Sequence, residues 1–500
     1  MSFKILGISG SLRNARRGRG NQSLIEELNL LKTQEDLDKY LADQANYHLE
    51  NFLEAGRKEK LPFDKMYLNL KKQRGDKGLS NSEIALSAAL WSAKQLGAEI
   101  DHISLSEYFL ENSKRKNLDE FIAKLKAADG FIISTPVYFG DRSSLPQSFL
   151  NLIRTDIVLQ NELKEKVYAG IAVGAKRNGG QETTLIYQML DMLNVDILSV
   201  GNDSETTSQY GGTCLAGDVG TMPKDRYGLD TAMGTGRRLA RVVDMLKRAK
   251  ERNLKGKHRI SFWLLQDKDQ VAYNYVKKLV ASNSEIDARI IDISSKNIIR
   301  CLACDICPTH ISVDDEYRCI INNPTDDLKD FHSELLWADA VIPVAFSPVN
   351  RDGILSNYQR FMERTRYLRR GDYVLSDVIS APLVIDEIGS NENLHIRMMT
   401  AMVRHHTILS KPIIAYKYNG AIVNEKEVAT DFIRLNQQIR DVAKAKLLAY
   451  SSNVNHLKYK PVGYVLSSAK DAEDEKLLKR AIMIEDRMEK TAKLAKDRVS

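Results

Sequence analysis

The sequence predicts an α/β fold: two doubly wound, parallel-sheet domains in tandem, with a helical insert in the first and a helical tail at the end. Three observations predict it. Short apolar strand-like runs alternate with amphipathic helical stretches from residue 3 onward, and this alternation calls for a parallel sheet covered on both faces. The alternation starts afresh near residue 259, after a basic stretch around Lys247–Lys257. The chain of 500 residues also exceeds one domain at roughly 150 residues per domain.

The first domain is expected over residues 1–250. FKILGIS (3–9) opens as a strand, and its early position makes it central to its sheet. A polar stretch with Arg13, Arg16, Arg17 and Arg19 follows, and residues about 14–79 read as a charged helical insert. NSEIALSAALWSAKQL (81–96) reads as a helix capped by Asn81 or Ser82, with Gly97 as its left-handed stop. AEIDHISL is then a strand, Leu118–Ala128 a helix and GFIISTP a buried strand. KVYAGIAVG is a further strand, followed by a glycine-rich turn and a helix through Leu193; VDILSVG is the next strand, and Asp230–Arg248 a closing helix.

The second domain is expected over 257–423. RISFWLLQ (259–266) is a strand, Val271–Ala281 a helix and ARIIDI (288–293) a strand, and a cysteine-rich insert spans 301–319. DDLKDFHSELLWAD, YQRFMERTRYL and LHIRMMTAMVRHHTIL read as helices, and AVIPVAFSP, SAPLVIDEIG and KPIIAYKY as strands. Residues 424–500 form a helical tail whose charged end suits a solvated or partner-packing helix.

Composition narrows the function classes. A net charge of +7 from 73 Lys+Arg and 66 Asp+Glu is too small to argue for nucleic acid. An apolar content of 43% excludes disorder of the whole chain. No apolar run approaches the length of a membrane span, and MSFKILGISGSLR lacks a signal peptide's apolar stretch, so the expected location is the cytoplasm, without membrane contact.

Sites in parallel sheets lie beyond the carboxyl ends of the strands. GISGSLR, after the first strand, suits an anion: small residues let backbone N–H groups approach, the Ser9 and Ser11 hydroxyls donate, and Arg13 adds charge. The same residues would also make an ordinary strand-to-helix turn. STPVYFGDRSSLP offers a rigid turn at Pro136 and Gly140, with Val137, Tyr138 and Phe139 beyond the strand; the aromatics either wall a flat ring system or cover the sheet's end as core. GAKRNGGQETTL permits backbone approach at Gly179 and Gly180, with Asn178, Gln181 and Glu182 for a polar edge, or else is a loop before a capped helix. An anion loop, an aromatic wall and a glycine approach at successive strand ends suit flavin mononucleotide (FMN).

GISGSLR, STPVYFGD with SLPQSFLNLI, RNGGQETTL and the segment Tyr210–Thr213 resemble the NADPH-dependent FMN reductase family of flavodoxin-like proteins, over residues 1–12 and roughly 79–250. The resemblance implies two flavodoxin-like domains. It implies FMN held by Ser9, Ser11 and Arg13, by Pro136, Val137, Tyr138 and Phe139, and by Arg177, Asn178, Gly179 and Gly180, with the phosphate on the first loop. Gly20-Asn21-Gln22-Ser23 resembles the family's continuation of the phosphate loop, yet its first helix corresponds to residues near Asn81, so either Ser23 or Ser80/Ser82 completes the site. The implied activity is an NAD(P)H-dependent flavin oxidoreductase passing electrons to a small-molecule or protein acceptor. The alternatives are an electron carrier between protein partners and a redox-sensing or structural subunit without turnover. Family members commonly dimerise, so a homo-oligomer through the flavodoxin-like faces or the tail is one implied arrangement, and a tandem chain forming that interface internally is another.

The second domain resembles the family more weakly and lacks the phosphate loop: Asp267 and Asp269 follow its first strand. Two unit charges about 5 Å apart at an effective dielectric of ~20 interact by roughly 3 kcal/mol, so these carboxylates oppose a phosphate and no FMN is expected there. The sharper feature is CLACDICPTHISVDDEYRCI. Cys301, Cys304 and Cys307 put three thiolates on one tight loop, as a [4Fe–4S] cluster requires, with Cys319 as a later fourth ligand. The segment resembles the family's iron–sulfur flavoprotein branch, including Asp326-Asp327, although the branch's fourth cysteine comes sooner. Zinc, with His310 in place of one thiolate, and free thiols are the other readings. Cys214 reads as a packed residue rather than a nucleophile, and the pair His405-His406 as packing or surface residues rather than joint metal ligands.

Overall fold

The computed structural model describes residues 2–13, 16, 19–72, 77–110, 114–203, 206, 208–304, 307, 317, 319–451 and 473–500. The chain divides into two compact units, Met1–Asp244 and Met245–Ser500.

In the first unit, strand β1 (Phe3–Ser9) is buried along nearly its whole length, as its apolar sequence, broken only by half-buried Lys4 before the closing Ser9, requires. The insert that follows holds helix α1 (Arg19–Leu30), helix α2 (Gln34–Phe52), a π-helical turn over Leu53–Arg57 and helix α3 (Phe63–Lys72). Thr33 and Asp36 form a reciprocal capping box that starts α2. Then come α4 (Asn81–Lys94), β2 (Ala98–Ser104), the single turn α5 (Leu105–Tyr108), α6 (Leu118–Ala127) and β3 (Gly130–Pro136). They are followed by α7 (Ser144–Thr155), α8 (Ile157–Leu163), β4 (Val167–Gly174), α9 (Gln181–Leu193), β5 (Leu198–Ser199), β6 (Gly212–Leu215) and α10 (Arg226–Arg248).

Every strand pairing in this unit is parallel: β2 and β3 flank β1, and β4 follows β3. The expected fifth strand is split. β5 pairs with the start of β4 at Val167–Tyr168, and β6 pairs with its end from Ile171 onward. The Asn202 side chain ties the split together, its Nδ2 donating to Gly211 O (3.1 Å) and Thr231 O (2.7 Å). The resulting order, 2-1-3-4-5 with a divided fifth strand, is the flavodoxin-like order. The cap of α4 is Ser80 rather than Asn81 or Ser82: its Oγ accepts from Glu83 N while the Glu83 carboxylate accepts from Ser80 N at 2.9 Å.

The insert is tied at both ends by one side chain. Arg16, fully buried, donates to Glu27 (2.9 and 3.2 Å) and to Gln44 Oε1 (2.8 Å), and the same Oε1 accepts from Gly78 N at 2.8 Å. Trp91 Nε1 and Lys94 Nζ of α4 donate to Leu31 O, and Lys94 also bonds the last carbonyls of α1, which stops that helix against α4.

The second unit contains β7 (His258–Gln266), α11 (Val271–Ala281), β8 (Ile286–Asp292), α12 (His332–Leu336), β9 (Ala340–Ser347), α13 (Asn357–Arg364) and α14 (Arg366–Asp372). It continues through β10 (Ile379–Ser380), β11 (Leu383–Glu387), α15 (Leu394–Val403), β12 (Ile408–Leu409), β13 (Ile413–Tyr418), β14 (Ala421–Ile422), α16 (Glu425–Ser451) and α17 (Glu473–Arg498). β7 lies between β8 and β9; β10 and β11 both pair with β9, and β12 and β13 continue outward from them, all in parallel. Among the described strands of this unit, β14 alone adds antiparallel.

Several expected elements end early. The helix expected through Leu409 stops at Val403, because His406 takes a left-handed φ of 60° and turns the chain into β12. DDLKDFHSELLWAD yields a 3-10 turn at Asp327–Phe331 before α12. Pro382, which has no N–H to give a ladder, stands between β10 and β11. The tail is less solvated than its charge suggests: Met483, Arg487 and Ala495 are buried, and the Arg498 guanidinium grips Asp339 bidentately at 2.7 Å. Among the described residues no helix is long and apolar enough to cross a membrane.

Candidate functional site

The three loops singled out in the first unit meet. Gly10 N donates to Ser134 O at 2.8 Å, and Ser143 Oγ donates to Gly10 O at 2.6 Å, so the first loop is hydrogen-bonded to both sides of the second. A Cβ on Gly10 would fall 2.5 Å from Pro146 Cγ, which explains a glycine there. The second and third loops touch at Gly180, which has φ of 102° and whose Cβ position lies 2.7 Å from Gly140 Cα and 3.4 Å from Val137 Cγ1.

Ser9 closes β1, fully buried between its partners Ser104 and Ser134. Ser11 is buried, and its Oγ accepts from Arg13 N at 3.2 Å. Arg13 is exposed, with its guanidinium 5.6 Å from the centroid of the Phe52 ring in the insert. That cation and burial together push the His48 imidazole down to about 4, burial contributing most. Ser82 lies in the first turn of α4, and its carbonyl accepts at 2.8 Å from Oγ of Ser134, the same residue whose carbonyl anchors the first loop. Ser23 sits half-exposed on α1, and no bond ties it to the first loop among the described residues.

Pro136 ends β3, and Val137 N donates to Val173 O at 3.0 Å. Tyr138 and Asp141 close a turn through reciprocal bonds of 2.8 and 3.0 Å, which holds Phe139 at φ 53° and Gly140 at φ 79°. Tyr138 and Phe139 both face solvent, and Phe139 has no cover at all. Their reading as core residues over the sheet's end is thereby excluded.

In the third loop Asn178 is exposed with φ 59°, and the Cβ position of Gly179 is 2.8 Å from Lys176 O. Arg177 departs from expectation. Its guanidinium donates to Thr213 O at 3.0 Å, pairs with Asp225 and lies 5.1 Å from the Tyr227 ring centroid. Arg177 therefore clamps the loop to β6 rather than presenting an open cation. Sequence reasoning missed Asp225, the partner that commits Arg177. Gln181, expected at a polar edge, instead bonds Lys176 O (2.8 Å) and Cys214 O (3.1 Å) through Nε2 beneath the loop. Asp225 carries no motif; only the fold brings residues 177 and 225 together. Cys214 packs as expected: it is fully buried, burial pushes its thiol up, and its Sγ donates to Gly228 O.

The sequence profile of the NADPH-dependent FMN reductase family matches residues 75–204. An iron-sulfur flavoprotein of Methanocaldococcus jannaschii is 33% identical over 181 residues, covering 34% of this chain and 93% of that relative. The chain belongs to this flavin reductase family. It is an NAD(P)H-dependent flavin oxidoreductase. An iron-sulfur flavoprotein of Methanosarcina thermophila is 29% identical over 188 residues, with 34% and 93% of the two chains covered. An NAD(P)H dehydrogenase (quinone) of Methylocella silvestris is 31% identical over 174 residues, with 31% and 87% covered.

The family makes FMN the group to test against the site, and the residues fit it. A glycine-rich first loop follows a central parallel strand, two glycines at the junction of the other loops leave no side chain between them, and uncommitted aromatics stand at the rim.

The cysteine segment does not form a metal-binding group among the described residues. Cys301, Cys304, Cys307 and Cys319 are half-buried and form no disulfide. Among the described residues no group of three or more His, Cys, Asp or Glu is spaced to hold a metal ion. Among the described residues the expected [4Fe–4S] ligand set is therefore not assembled; the zinc alternative needs His310, which, like Pro308, lies outside the described residues. What packing does organise is the neck of the segment. Arg364, fully buried, pairs bidentately with Asp326 (2.8 and 3.1 Å), donates to Ile299 O (2.8 Å) and bonds the Tyr317 hydroxyl. These bonds fix both ends of the segment and leave the thiols between them ungathered.

Proposed function

We propose that the first unit binds FMN at the junction of its three strand-end loops and passes electrons from NAD(P)H to a quinone-like acceptor. The observation that carries the reading is the meeting of the loops at Gly10, Gly140 and Gly180. Bound there, FMN supplies the two-electron carrier, and the protein's part is to hold and orient it. In this reading the first-loop backbone, Ser9, Ser11, Ser82 and Arg13 receive the phosphate; Arg13 is steadied by Phe52 and supplies the charge. Pro136, Val137, Tyr138 and Phe139 wall one side of the ring system, with Phe139 at the rim where a flat acceptor would enter. Asn178, Gly179 and Gly180 present backbone to the ring's polar edge, held in register by Arg177. Ser23 is not needed.

The acceptor class follows from the exposed, apolar rim and from the quinone-reducing relative. The second unit reads as a degenerate copy of the first over 257–423, because its strands run in the same 2-1-3-4-5 order. Its anion position is taken by its own carboxylate: Asp267 accepts from Lys268 N, Ala272 N and Tyr273 N at 2.8–3.0 Å, at the start of α11. No electron step is assigned to the cysteine segment. The cytoplasm remains the location this reading assumes.

The test is titration of the purified full chain with FMN, followed anaerobically by NADPH and then a soluble quinone. Flavin absorbance bleached by NADPH and restored by quinone supports the reading. A chain that leaves FMN free in solution overturns it.

A further inference from the structure

The buried face of α9 carries polar groups that the described packing does not satisfy. Gln181, Thr184 and Gln188 follow one another along this face at helical spacing, and Asp191 continues the row. Gln181, Thr184 and Gln188 are all at least 97% buried, yet Gln181 Oε1, Thr184 Oγ1 and both amide atoms of Gln188 have no hydrogen-bond partner. Two further orphans face the same seam. Tyr168 of β4 is fully buried and its hydroxyl is unpartnered. That hydroxyl lies 2.4 Å from where a Gly170 Cβ would stand, and Leu185 Cδ2 is 2.9 Å from the same point, so the phenol reaches α9 beside Thr184. Arg142 of the second loop pairs through Nη2 with Asp191, while its Nη1 is buried and unpartnered. The charges of Arg142 and Asp191 both act on the Tyr168 phenol, which places all three together.

A buried polar atom without a partner costs about 1–3 kcal/mol, so a row of them does not persist unless something satisfies it. The row mixes donors (Arg142, Gln188 Nε2, Thr184, Tyr168) with acceptors (Gln181 Oε1, Gln188 Oε1). A cation or an anion would satisfy only half of it. Arg142 is already matched by Asp141 and Asp191, which removes the attraction for an anion. Water both donates and accepts, and fits such a row.

We propose that this seam is a binding site for a short file of ordered water that runs from Arg142 in the second loop to Gln181 beneath the third. Its use rests on the flavin reading above. Moving two electrons from NADPH to a quinone gives NADP⁺ and a quinol and takes up one proton from solvent. The file would deliver that proton to the pocket wall at Gln181.

The test is the near-isosteric pair Thr184→Val and Gln188→Leu in the full chain. A hydrated seam loses water partners, so each variant should lower Tm by ~3 °C. A dry seam would instead be relieved of unpaired polar atoms, and a rise in Tm overturns the water site. With FMN loaded, bleaching by NADPH should stay within twofold of the parent, while reoxidation by quinone should slow at least fivefold with a larger solvent isotope effect. Unchanged reoxidation overturns the proton route. Failure to bind FMN would show in the parent chain and would leave the sign of the Tm change to be read on its own.

Discussion

At the scale of single residues, the site depends on the absence of side chains as much as on their presence. Gly180 combines a left-handed backbone with a Cβ position inside contact distance of Gly140. Alanine there must strain its own φ and push two loops apart. Gly180→Ala is expected to weaken FMN binding about tenfold, and to destabilise the unit by about 1–2 kcal/mol, read by flavin-fluorescence titration and urea melts. Unchanged affinity would separate the loop junction from the cofactor. Arg177 makes the complementary point: a cation next to two glycines looked like a ligand, and its geometry makes it a strut to Asp225 and Thr213.

At the scale of elements, the insert is the part of the first unit that the flavodoxin-like pattern does not require, and it is locked rather than loosely appended. Arg16 and Gln44 join its entry to its exit, and the Arg16 charge is wholly buried. Removing one partner of a buried, hydrogen-bonded charge is strongly destabilising. Arg16→Met leaves Glu27 partly reachable by solvent, so the expected cost is about 3 kcal/mol, near the low end of that range. Faster amide exchange should accompany it at Gly78 and Leu79, which bond Gln44. Exchange unchanged at those amides would refute the lock. In the second unit the first helix is started by a carboxylate where the first unit offers serines. Asp267 engages the amides that an anion would use; burial, the larger effect, still raises its pKa, and these backbone bonds pull it the other way.

At the scale of the whole molecule, the roles proposed for these two loops predict one FMN per chain, countable by absorbance against protein concentration. Two per chain would contradict the role given to Asp267. Acid stability is also set by residues spread over both units. Burial, the largest cause in each case, holds His48 near 4 and His102 and His405 near 3, against an ordinary value of about 6.5. The unfolded chain therefore binds more protons than the native one between those values. The stability these histidines contribute is complete above about pH 6.5 and is lost as pH falls through 6 toward 4. Tm should decline across that window, and His405→Gln should flatten the decline for the transition of the second unit. A Tm constant from pH 7 to pH 4 would contradict neutral burial.

By itself the sequence determined the strand–helix alternation, the two α/β units and the three loops of the site, because period, glycine placement and apolar runs are local properties of a chain. It did not determine where long elements break. His406 and Pro382 end them through backbone geometry, and the fifth strand of the first unit is split into two pieces that Asn202 ties together through Gly211 and Thr231. The tertiary structure alone decided which charges are spoken for. Arg177 found Asp225, Arg16 found Gln44 and Arg364 found Asp326, each across a separation that no spacing rule reads. Among the described residues it also gathers no three metal-ligating side chains at the cysteine segment, since a ligand set is a matter of distances in space and a motif only of order along the chain.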